Sequence, residues 1–380
     1  MRNRNNNILT KISKIIAFMI VILIIMFFIS PNWFKGEYLF YATIPNYKIS
    51  QNFNTIFSKK NDVHDIISDI DIFEFDFTEA FNKIEPEDNN NIFGLNDIIF
   101  QDEPEFRPFL DSSYKENLTE EDLDKLRNVD YLINAFYAKD RNAGIIGSRF
   151  NVDNFINTDL RLKKNNSNGP QVLIFHTHGG TEFFIDSNPN DVYTGVVGAG
   201  VRLKHYLENK YNISVMHHTV LYDIVNGSPM RGGSYERMEI EIQKILDENP
   251  SIELVIDVHR DGIEPNPHLV TYIDEKPYAK LMFVNGVSAL AENGGVRELS
   301  SLPNPNLDTN LALSFNMQIA ANKFFPDLTR RIYLKAYRFS THMRPRSLLV
   351  EMGSQYNTME EAFNSMELLA DLINEVVFDM

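Results

Sequence analysis

The sequence contains no cysteine among its 380 residues. It can therefore form no disulfide, and any zinc site must use histidine, aspartate or glutamate rather than thiolate ligands. Basic residues are also scarce, because 36 lysines and arginines stand against 52 aspartates and glutamates, for a formal net charge of -16. Phosphate binding needs clustered basic side chains, so this balance excludes a broad nucleic-acid surface, and no nucleic-acid-binding motif occurs.

Long apolar runs are absent from the sequence except near its start, where residues 15–29 are all apolar. Four basic residues precede that run: Arg2, Arg4, Lys11 and Lys14. A basic flank before an apolar run is typical of a membrane-targeting segment whose start stays in the cytoplasm. The run is shorter than the roughly 20 residues of a straight spanning helix, but the flank up to Phe34 extends it into the interface.

Two kinds of targeting segment fit this pattern, an uncleaved anchor and a cleaved signal peptide. No pair of small residues suited to cleavage comes after the run, which favours the anchor. We therefore predict that residues 1–34 are a cytoplasmic tail and a single membrane anchor, with membrane contact through residues 15–34. The rest of the chain would then lie on the extracytoplasmic side of the cell membrane.

Residues 35–117 mix acidic residues with phenylalanine and isoleucine and show no strong periodicity. The stretch 85–91 (EPEDNNN) cannot contribute to a packed core, and Pro104 and Pro108 interrupt the residues after it. We predict an acidic stalk of low order in this region. A solvated linker is the favoured interpretation, with a surface for a protein partner as the alternative.

From residue 118 the pattern becomes that of a folded domain. Residues 119–122 (TEED) resemble a capping box and precede an approximate helical stripe, so 118–169 is predicted as a helical lead-in with a helix to about residue 138. Strands and helices then alternate through residues 170–380. Strands are predicted near 172–178, 213–217, 252–259, 269–273, 280–284 and 347–350, and helices near 194–209, 234–248, 309–324 and 359–377. Repeated strand–helix units predict an α/β fold with a single, mostly parallel, twisted sheet and helices on both faces.

Polar residues stand at the carboxyl ends of three predicted strands. His176 and His178 end the first, with Glu182 just beyond a glycine pair, and His259 and Glu351 end two later ones. Because the carboxyl ends of parallel strands meet at one edge of a sheet, these side chains are expected to line one crevice. Imidazoles and a carboxylate are the ligands of an open zinc site, which has three protein ligands and a position for water. We therefore predict Zn²⁺ as the cofactor.

Three segments carry a family resemblance. Residues 176–182 (HTHGGTE), 255–262 (VIDVHRDG) and 349–354 (LVEMGS) have the order and spacing of the stage II sporulation protein P family. Residues 227–228 and 234–237 add to the resemblance, as does a membrane anchor followed by a variable stalk. That family is similar in turn to the zinc-dependent N-acetylmuramoyl-L-alanine amidases. The resemblance implies an amidase-like peptidoglycan hydrolase that removes stem peptides from glycan strands, with endopeptidase activity in addition, during forespore engulfment.

The resemblance also implies roles for individual residues. His178 and His259 would be zinc ligands, and Glu351 would be the catalytic glutamate. The amidases take a further glutamate ligand from the opening of the next helix, where this chain has only Val192-Tyr193-Thr194. The third ligand is therefore assigned to Glu182, with His176 as the alternative.

The chemistry of an amide hydrolase gives three residues candidate roles. Glu351 would act as the base that takes a proton from water and passes it to the leaving amine. Arg260 would hold a substrate carboxylate or the developing oxyanion, or else pair with Asp261 to close a turn. Asp257 would orient a ligand imidazole.

Partners are implied by the resemblance alone: the stem peptide and glycan of peptidoglycan, and the stage II sporulation proteins D and M. Two other function classes stay open. One is a metal hydrolase of the same fold that acts on another extracellular amide, because specificity lies in loops. The other is a wall-binding scaffold without catalysis that holds partners through its stalk.

Overall fold

The computed structural model describes residues 106–110, 113–164, 169–264 and 267–378. The predicted membrane anchor, residues 1–34, and most of the predicted stalk lie outside these ranges. Within them, no helix is long and apolar enough to cross a membrane.

The described residues form seven α-helices and thirteen strands. The helices are α1 (Glu120–Leu126), α2 (Val129–Phe136), α3 (Val152–Asn157), α4 (Val196–Asn209), α5 (Ser234–Glu248), α6 (Leu307–Phe324) and α7 (Met359–Val377). The strands are β1 (Tyr137–Lys139), β2 (Val172–Phe175), β3 (Val215–His217), β4 (Ile224–Val225), β5 (Ser228–Pro229), β6 (Leu254–Asp261), β7 (Val270–Ile273), β8 (Lys276–Ala279), β9 (Leu281–Gly286), β10 (Ala289–Glu292), β11 (Gly295–Glu298), β12 (Ile332–Lys335) and β13 (Ser347–Ser354).

Seven of these strands make one central sheet in the order β1-β12-β9-β13-β6-β2-β3. All neighbouring strands run parallel except β13 and β9, which are antiparallel. The remaining strands form three two-stranded hairpins, β4–β5, β7–β8 and β10–β11. The predicted α/β class with a mostly parallel sheet is thus confirmed.

Both faces of the sheet are covered, which explains why its strands are apolar without alternation. On β2, Val172 and Ile174 belong to a core that includes α4, α6 and α7. Leu173 and Phe175 point the other way, into a smaller core with α5. Each of these side chains is fully buried, a state that stabilises the fold by about 1.5–3 kcal/mol per large apolar side chain.

The predicted lead-in contributes directly to this sheet. The single helix expected up to residue 138 is two helices, because Asn128 caps α2 by accepting a hydrogen bond from the Tyr131 backbone N–H at 3.0 Å. The chain then leaves the helix at Tyr137 and enters β1, which pairs with β12 at the sheet edge. Neither β1 nor β12 was expected from the sequence, since both are short.

The end of the predicted stalk packs against the domain. The Arg107 backbone N–H donates to Glu367 Oε1 on α7 at 2.6 Å, and the Tyr114 backbone N–H donates to Glu375 Oε1 at 3.3 Å. The Tyr114 hydroxyl reaches Asn316 Oδ1 on α6 at 2.7 Å. These contacts tie Arg107 and Tyr114 to α7, and Tyr114 also to α6.

The sheet order places the three polar strand ends side by side. Strands β2, β6 and β13 are neighbours, with Phe175 opposite Asp257 and His259 opposite Glu351. β6 and β13 continue beyond their predicted ends to Asp261 and Ser354, so His259 and Glu351 lie within paired strands, and the β6–β13 register shifts just after Glu351. Their backbones are therefore fixed by ladder hydrogen bonds.

Candidate active site

A tight turn after β2 brings Glu182 back over the sheet edge. The backbone N–H groups of Thr181 and Glu182 both donate to the His178 carbonyl, at 3.2 and 3.1 Å. Gly180 is required in this turn, because a Cβ there would lie 2.3 Å from Ile224 Cγ1 and 2.9 Å from Asp223 Oδ1. Asp223 is fully buried and accepts the Gly180 backbone N–H at 2.9 Å, which holds the turn in place.

His259 lies between two buried carboxylates. Its Nδ1 is 3.1 Å from Glu182 Oε2, and its Nε2 is 2.8 Å from Asp257 Oδ1. Asp257 is fixed in turn by Thr177, whose backbone N–H and hydroxyl donate to its two oxygens at 3.0 and 2.7 Å. The Nε2 contact is close but poorly directed, because this nitrogen has no hydrogen bond of acceptable geometry among the described residues.

The charges in this cluster shift one another. Burial alone would lower the pKa of His259, but the Asp257 and Glu182 carboxylates raise that pKa well above its ordinary value. Burial would likewise raise the pKa of Glu182, but His259 holds it below its ordinary value. The two carboxylates therefore require a positive charge beside them.

His178 completes the group and stays neutral. Its ring centroid is 5.4 Å from that of His259 at an interplanar angle of 74°. Its Nδ1 is 3.4 Å from Ser234 Oγ at the start of α5. Burial lowers the pKa of His178 to about 4, with the nearby His259 acting in the same direction, so its ring keeps a lone pair for a ligand.

Glu351 faces the same edge from β13. Its Oε2 is buried and has no hydrogen-bond partner in the part of the chain that the structure describes. Burial raises the pKa of Glu351 to about 8, and the Glu182 and Asp261 carboxylates act with it, whereas His259 acts against it. A buried carboxylate oxygen without a partner is costly to a fold and is a common sign of a functional group.

Comparison of the sequence with known protein families identifies the family of the chain. A family model described as stage II sporulation protein P (SpoIIP) matches residues 100–374, which is more than half of the chain. The chain belongs to the stage II sporulation protein P family. A curated relative, stage II sporulation protein P of Bacillus subtilis strain 168, is 22% identical over 222 residues, which cover 55% of this chain. The chain spans about half the length of that relative, 51%.

Two solved structures are distantly similar in fold. The CwlD amidase from Clostridioides difficile, solved in complex with the GerS lipoprotein, matches with a TM-score of 0.34 and 14% identity over 53% of this chain and 95% of that one. The apo N-acetylmuramyl-L-alanine amidase Ami1 from Mycobacterium abscessus matches with a TM-score of 0.28 and 9% identity over 54% of this chain and 99% of that one. At these values the likeness concerns the fold only.

In this SpoIIP family member, the two candidates for a third ligand have different surroundings. Glu182 directly contacts His259 through its Oε2. His176 uses both ring nitrogens elsewhere: Nδ1 is 3.0 Å from the Val258 carbonyl and Nε2 is 2.8 Å from His217 Nε2. The Nε2 of His176 is thus already in contact with another imidazole, that of His217.

Arg260 holds the loop that carries Glu182. Its backbone N–H donates to Glu182 Oε2 at 3.1 Å, and its Nε donates to the Phe183 carbonyl at 3.0 Å. A weaker contact of 3.5 Å joins its Nη2 to the Thr181 carbonyl. The predicted pair with Asp261 is not an ion pair of side chains, because Arg330 takes the Asp261 carboxylate at 2.7 Å.

Three further residues of the site were not found by reasoning from the sequence. Asp223 braces the turn, and Arg231 donates to Thr181 Oγ1 at 2.8 Å and to Glu182 Oε1 at 2.9 Å. The ring of Tyr235 is 5.4 Å from that of His178 and 6.4 Å from that of His259. Tyr235 lies within a motif that supported the family resemblance, whereas Asp223 and Arg231 lie in loop sequence that gives no signal.

The donor set fits zinc in kind, although the donors are not gathered round one point. Among the described residues, no group of three or more histidine, aspartate and glutamate side chains is arranged to hold a metal ion. Zinc needs donors at roughly 2.0–2.2 Å from one position. His259 Nδ1 is 3.1 Å from Glu182 Oε2, and the neutral His178 lies beside them. Two imidazoles and a carboxylate are therefore close together in an acidic cluster that attracts a cation. Binding would require these side chains to rotate towards one common position.

Proposed function

We propose that this chain is a zinc-dependent peptidoglycan hydrolase of sporulation, an N-acetylmuramoyl-L-alanine amidase with endopeptidase cleavage of stem peptides as a second activity. One observation carries the proposal. The strand ends of β2, β6 and β13 bring His178, Glu182 and His259 together beside Glu351, whose Oε2 has no hydrogen-bond partner among the described residues. Membership of the SpoIIP family supports the cell wall as the substrate.

The zinc ligands in this proposal are His178, His259 and Glu182. Two imidazoles and one carboxylate leave a coordination position open, as catalytic zinc sites do. His176 is the weaker candidate, because its nitrogens already contact Val258 and His217. Asp257 lies against the opposite side of the His259 ring, with its Oδ1 2.8 Å from Nε2, a position from which a carboxylate would orient a ligand imidazole.

When bound, zinc supplies Lewis-acid polarisation of the amide carbonyl and makes water a stronger nucleophile at neutral pH. Glu351 would take the proton of the attacking water and deliver it to the leaving amine. Its free oxygen and its place opposite His259 support that role. Arg260 would keep the Glu182 loop in position and contribute charge to the site, since its guanidinium contacts the carbonyls of that loop.

The setting of the enzyme belongs to the same proposal. The apolar run at residues 15–29 with its basic flank supports a single-pass membrane anchor with the catalytic domain on the extracytoplasmic side. The peptidoglycan stem peptide and glycan would be the substrate. Stage II sporulation proteins D and M would be partners, as the family membership suggests.

Full-length protein incubated with purified sacculi tests this proposal. Mass analysis of the products should show whole stem peptides released from the glycan, and peptide-only fragments would report the endopeptidase activity. Treatment with a chelator should stop the release, and zinc should restore it better than magnesium, because imidazole ligands favour zinc. Binding to sacculi without any cleavage in the presence of zinc would contradict the proposal and favour a scaffold.

A further inference from the structure

An aromatic residue covers both candidate ligand histidines. Tyr235 stands in the first turn of α5, where its ring meets His178 edge-on at 89° and lies nearly parallel to His259 at 19°. Phe339 supports the ring from outside, with centroids 5.0 Å apart and an interplanar angle of 74°. The Tyr235 ring is therefore held between the imidazole pair and the loop that precedes β13.

The Tyr235 phenol is a hydrogen-bond donor beside the two histidines. A phenol keeps its proton at physiological pH, because its ordinary pKa is about 10. Its hydroxyl makes no hydrogen bond with the described residues, whereas Tyr222 on the preceding loop pairs its hydroxyl with His218 at 2.8 Å.

The arginine and threonine donors of the site already have acceptors within the protein. Arg231 donates to Thr181 and Glu182, and the Arg260 guanidinium donates to backbone carbonyls of the same turn. The Thr177 hydroxyl is taken by Asp257. An amide hydrolase needs a donor for the carbonyl oxygen as it becomes an oxyanion, and a donor with no prior partner serves that need without breaking an internal bond.

We propose that Tyr235 is a catalytic residue whose hydroxyl donates a hydrogen bond to the carbonyl oxygen of the scissile amide as negative charge develops there. This inference rests on the proposed function and adds a substrate contact to it. In the reaction the water oxygen bonds to the carbonyl carbon and the C–N bond breaks. Glu351 carries the water proton to the leaving nitrogen, and Tyr235 keeps its own proton throughout.

The competing interpretation is that the Tyr235 ring only packs the histidines. Tyr235→Phe separates the two, because phenylalanine keeps the contacts with His178, His259 and Phe339 and removes the hydroxyl alone. We expect kcat of the full-length protein to fall about 100-fold, the usual effect of removing one oxyanion donor. KM, zinc content and melting temperature should stay at the wild-type values. Tyr131→Phe, on α2 beside the far edge of the sheet, is the matched control and should keep full activity.

A binding measurement distinguishes failure of this inference from failure of the proposed function. The probe is a phosphinate isostere of the muramoyl–alanine amide, whose tetrahedral oxygens imitate the oxyanion. Tyr235→Phe should bind it about 100-fold more weakly than wild type does, with equal affinity for the product peptide. A wild-type protein that leaves sacculi intact would end the amidase proposal. The phosphinate affinities would still show whether the Tyr235 hydroxyl donates to a tetrahedral oxygen bound at this site. Unchanged phosphinate affinity, or a kcat within about twofold of wild type, would overturn it.

Discussion

Two buried clusters of charged side chains in this molecule differ in the group that lies between their carboxylates. Between α4 and α7, the Lys210 ammonium contacts Glu367 Oε1 at 3.1 Å and Asp371 Oδ1 at 2.7 Å, and all three side chains are at most 3% exposed. At the sheet edge, His259 contacts Glu182 and Asp257, and no lysine among the described residues contributes to the cluster. The first cluster has a permanently charged lysine at its centre, whereas the second has at its centre an imidazole whose charge depends on a proton, with Arg231 paired to Glu182 Oε1 from outside.

This difference separates a structural cluster from a functional one. The Lys210 ammonium is part of the protein chain and cannot be exchanged for another cation. The Lys210 cluster therefore contributes to folding. A proton on His259 can be exchanged for a metal ion, since metal binding requires the neutral imidazole and releases the proton. Substitutions in the first cluster should therefore change stability, and substitutions in the second should change zinc binding and turnover.

The largest expected effect comes from His259→Ala. Loss of a ligand imidazole should abolish both zinc retention and hydrolysis of sacculi, because two remaining ligands do not hold catalytic zinc. Metal analysis after gel filtration and the sacculus assay measure the two effects, with circular dichroism to confirm folding. His205→Ala, whose ring contacts Phe106 and Tyr206 instead, should keep both properties. One equivalent of zinc retained by His259→Ala would contradict the ligand assignment.

Glu351→Gln comes next and should separate zinc binding from catalysis. Glutamine cannot accept the water proton, so turnover should fall about 10²- to 10⁴-fold while zinc content stays normal. Glu253→Gln, an exposed glutamate just before the amino end of β6, is the matched control and should be fully active. Near-normal turnover in Glu351→Gln would exclude this residue as the base.

Lys210→Met should affect stability alone. Removal of one partner from a buried ion cluster leaves uncompensated carboxylates, which costs about 3–5 kcal/mol in the free energy of unfolding. Urea denaturation measures this loss, and Lys244→Met on the exposed part of α5 should stay within about 0.5 kcal/mol of wild type. Zinc content and turnover of the folded fraction should not change. A selective loss of zinc would contradict the division between the two clusters.

The pH dependence of that loss provides an internal check. Burial raises the pKa of Asp371 to about 6, although Lys210 and Tyr211 act against the shift. A raised carboxyl pKa favours the folded protein at low pH, and this contribution is lost as pH rises through about 6. Without Lys210 the pKa should rise further, so the penalty of Lys210→Met should be larger at pH 8 than at pH 6. A penalty independent of pH would show that the lost interaction is not ionic.

Arg231→Gln should give the smallest effect. Arg231 is half-exposed and fixes Glu182 Oε1, which leaves Oε2 facing His259. Loss of a group that orients a metal ligand typically weakens metal affinity by about 10- to 100-fold. Zinc titration against a competing chelator measures the change, with Arg297→Gln from the exposed pair with Glu292 as the control. Unchanged affinity would mean that Arg231 does not position Glu182.

Much of the fold was predictable because its strands and helices differ clearly in period. The helices α5 and α7 have the predicted bounds, and β2 and β6 were recognised from continuous apolar runs. Sequence period carries no information about strand direction, so the antiparallel pairing of β13 with β9 could not be foreseen. Short edge strands such as β1 and β12 have too few residues to show a period.

The site shows a similar limit. Histidine and glutamate at strand ends were visible in the sequence, and His178, His259 and Glu351 do lie at one edge of the sheet. The order of the residues did not decide between Glu182 and His176, because that depends on how the turn after β2 folds back. Arg231 reaches Glu182 across a separation of 49 residues, a contact that no local pattern encodes.

The attachment of Arg107 and Tyr114 to α7 has a practical consequence. Their two main-chain amides donate to glutamate carboxylates of the final helix, and one of these glutamates, Glu367, also partners Lys210. A shortened protein that starts at residue 118 would expose both carboxylates and loosen the ion pair between Glu367 and Lys210. Truncations intended for crystallisation or assay should therefore begin before Phe106, or their lower melting temperature will be mistaken for a property of the enzyme.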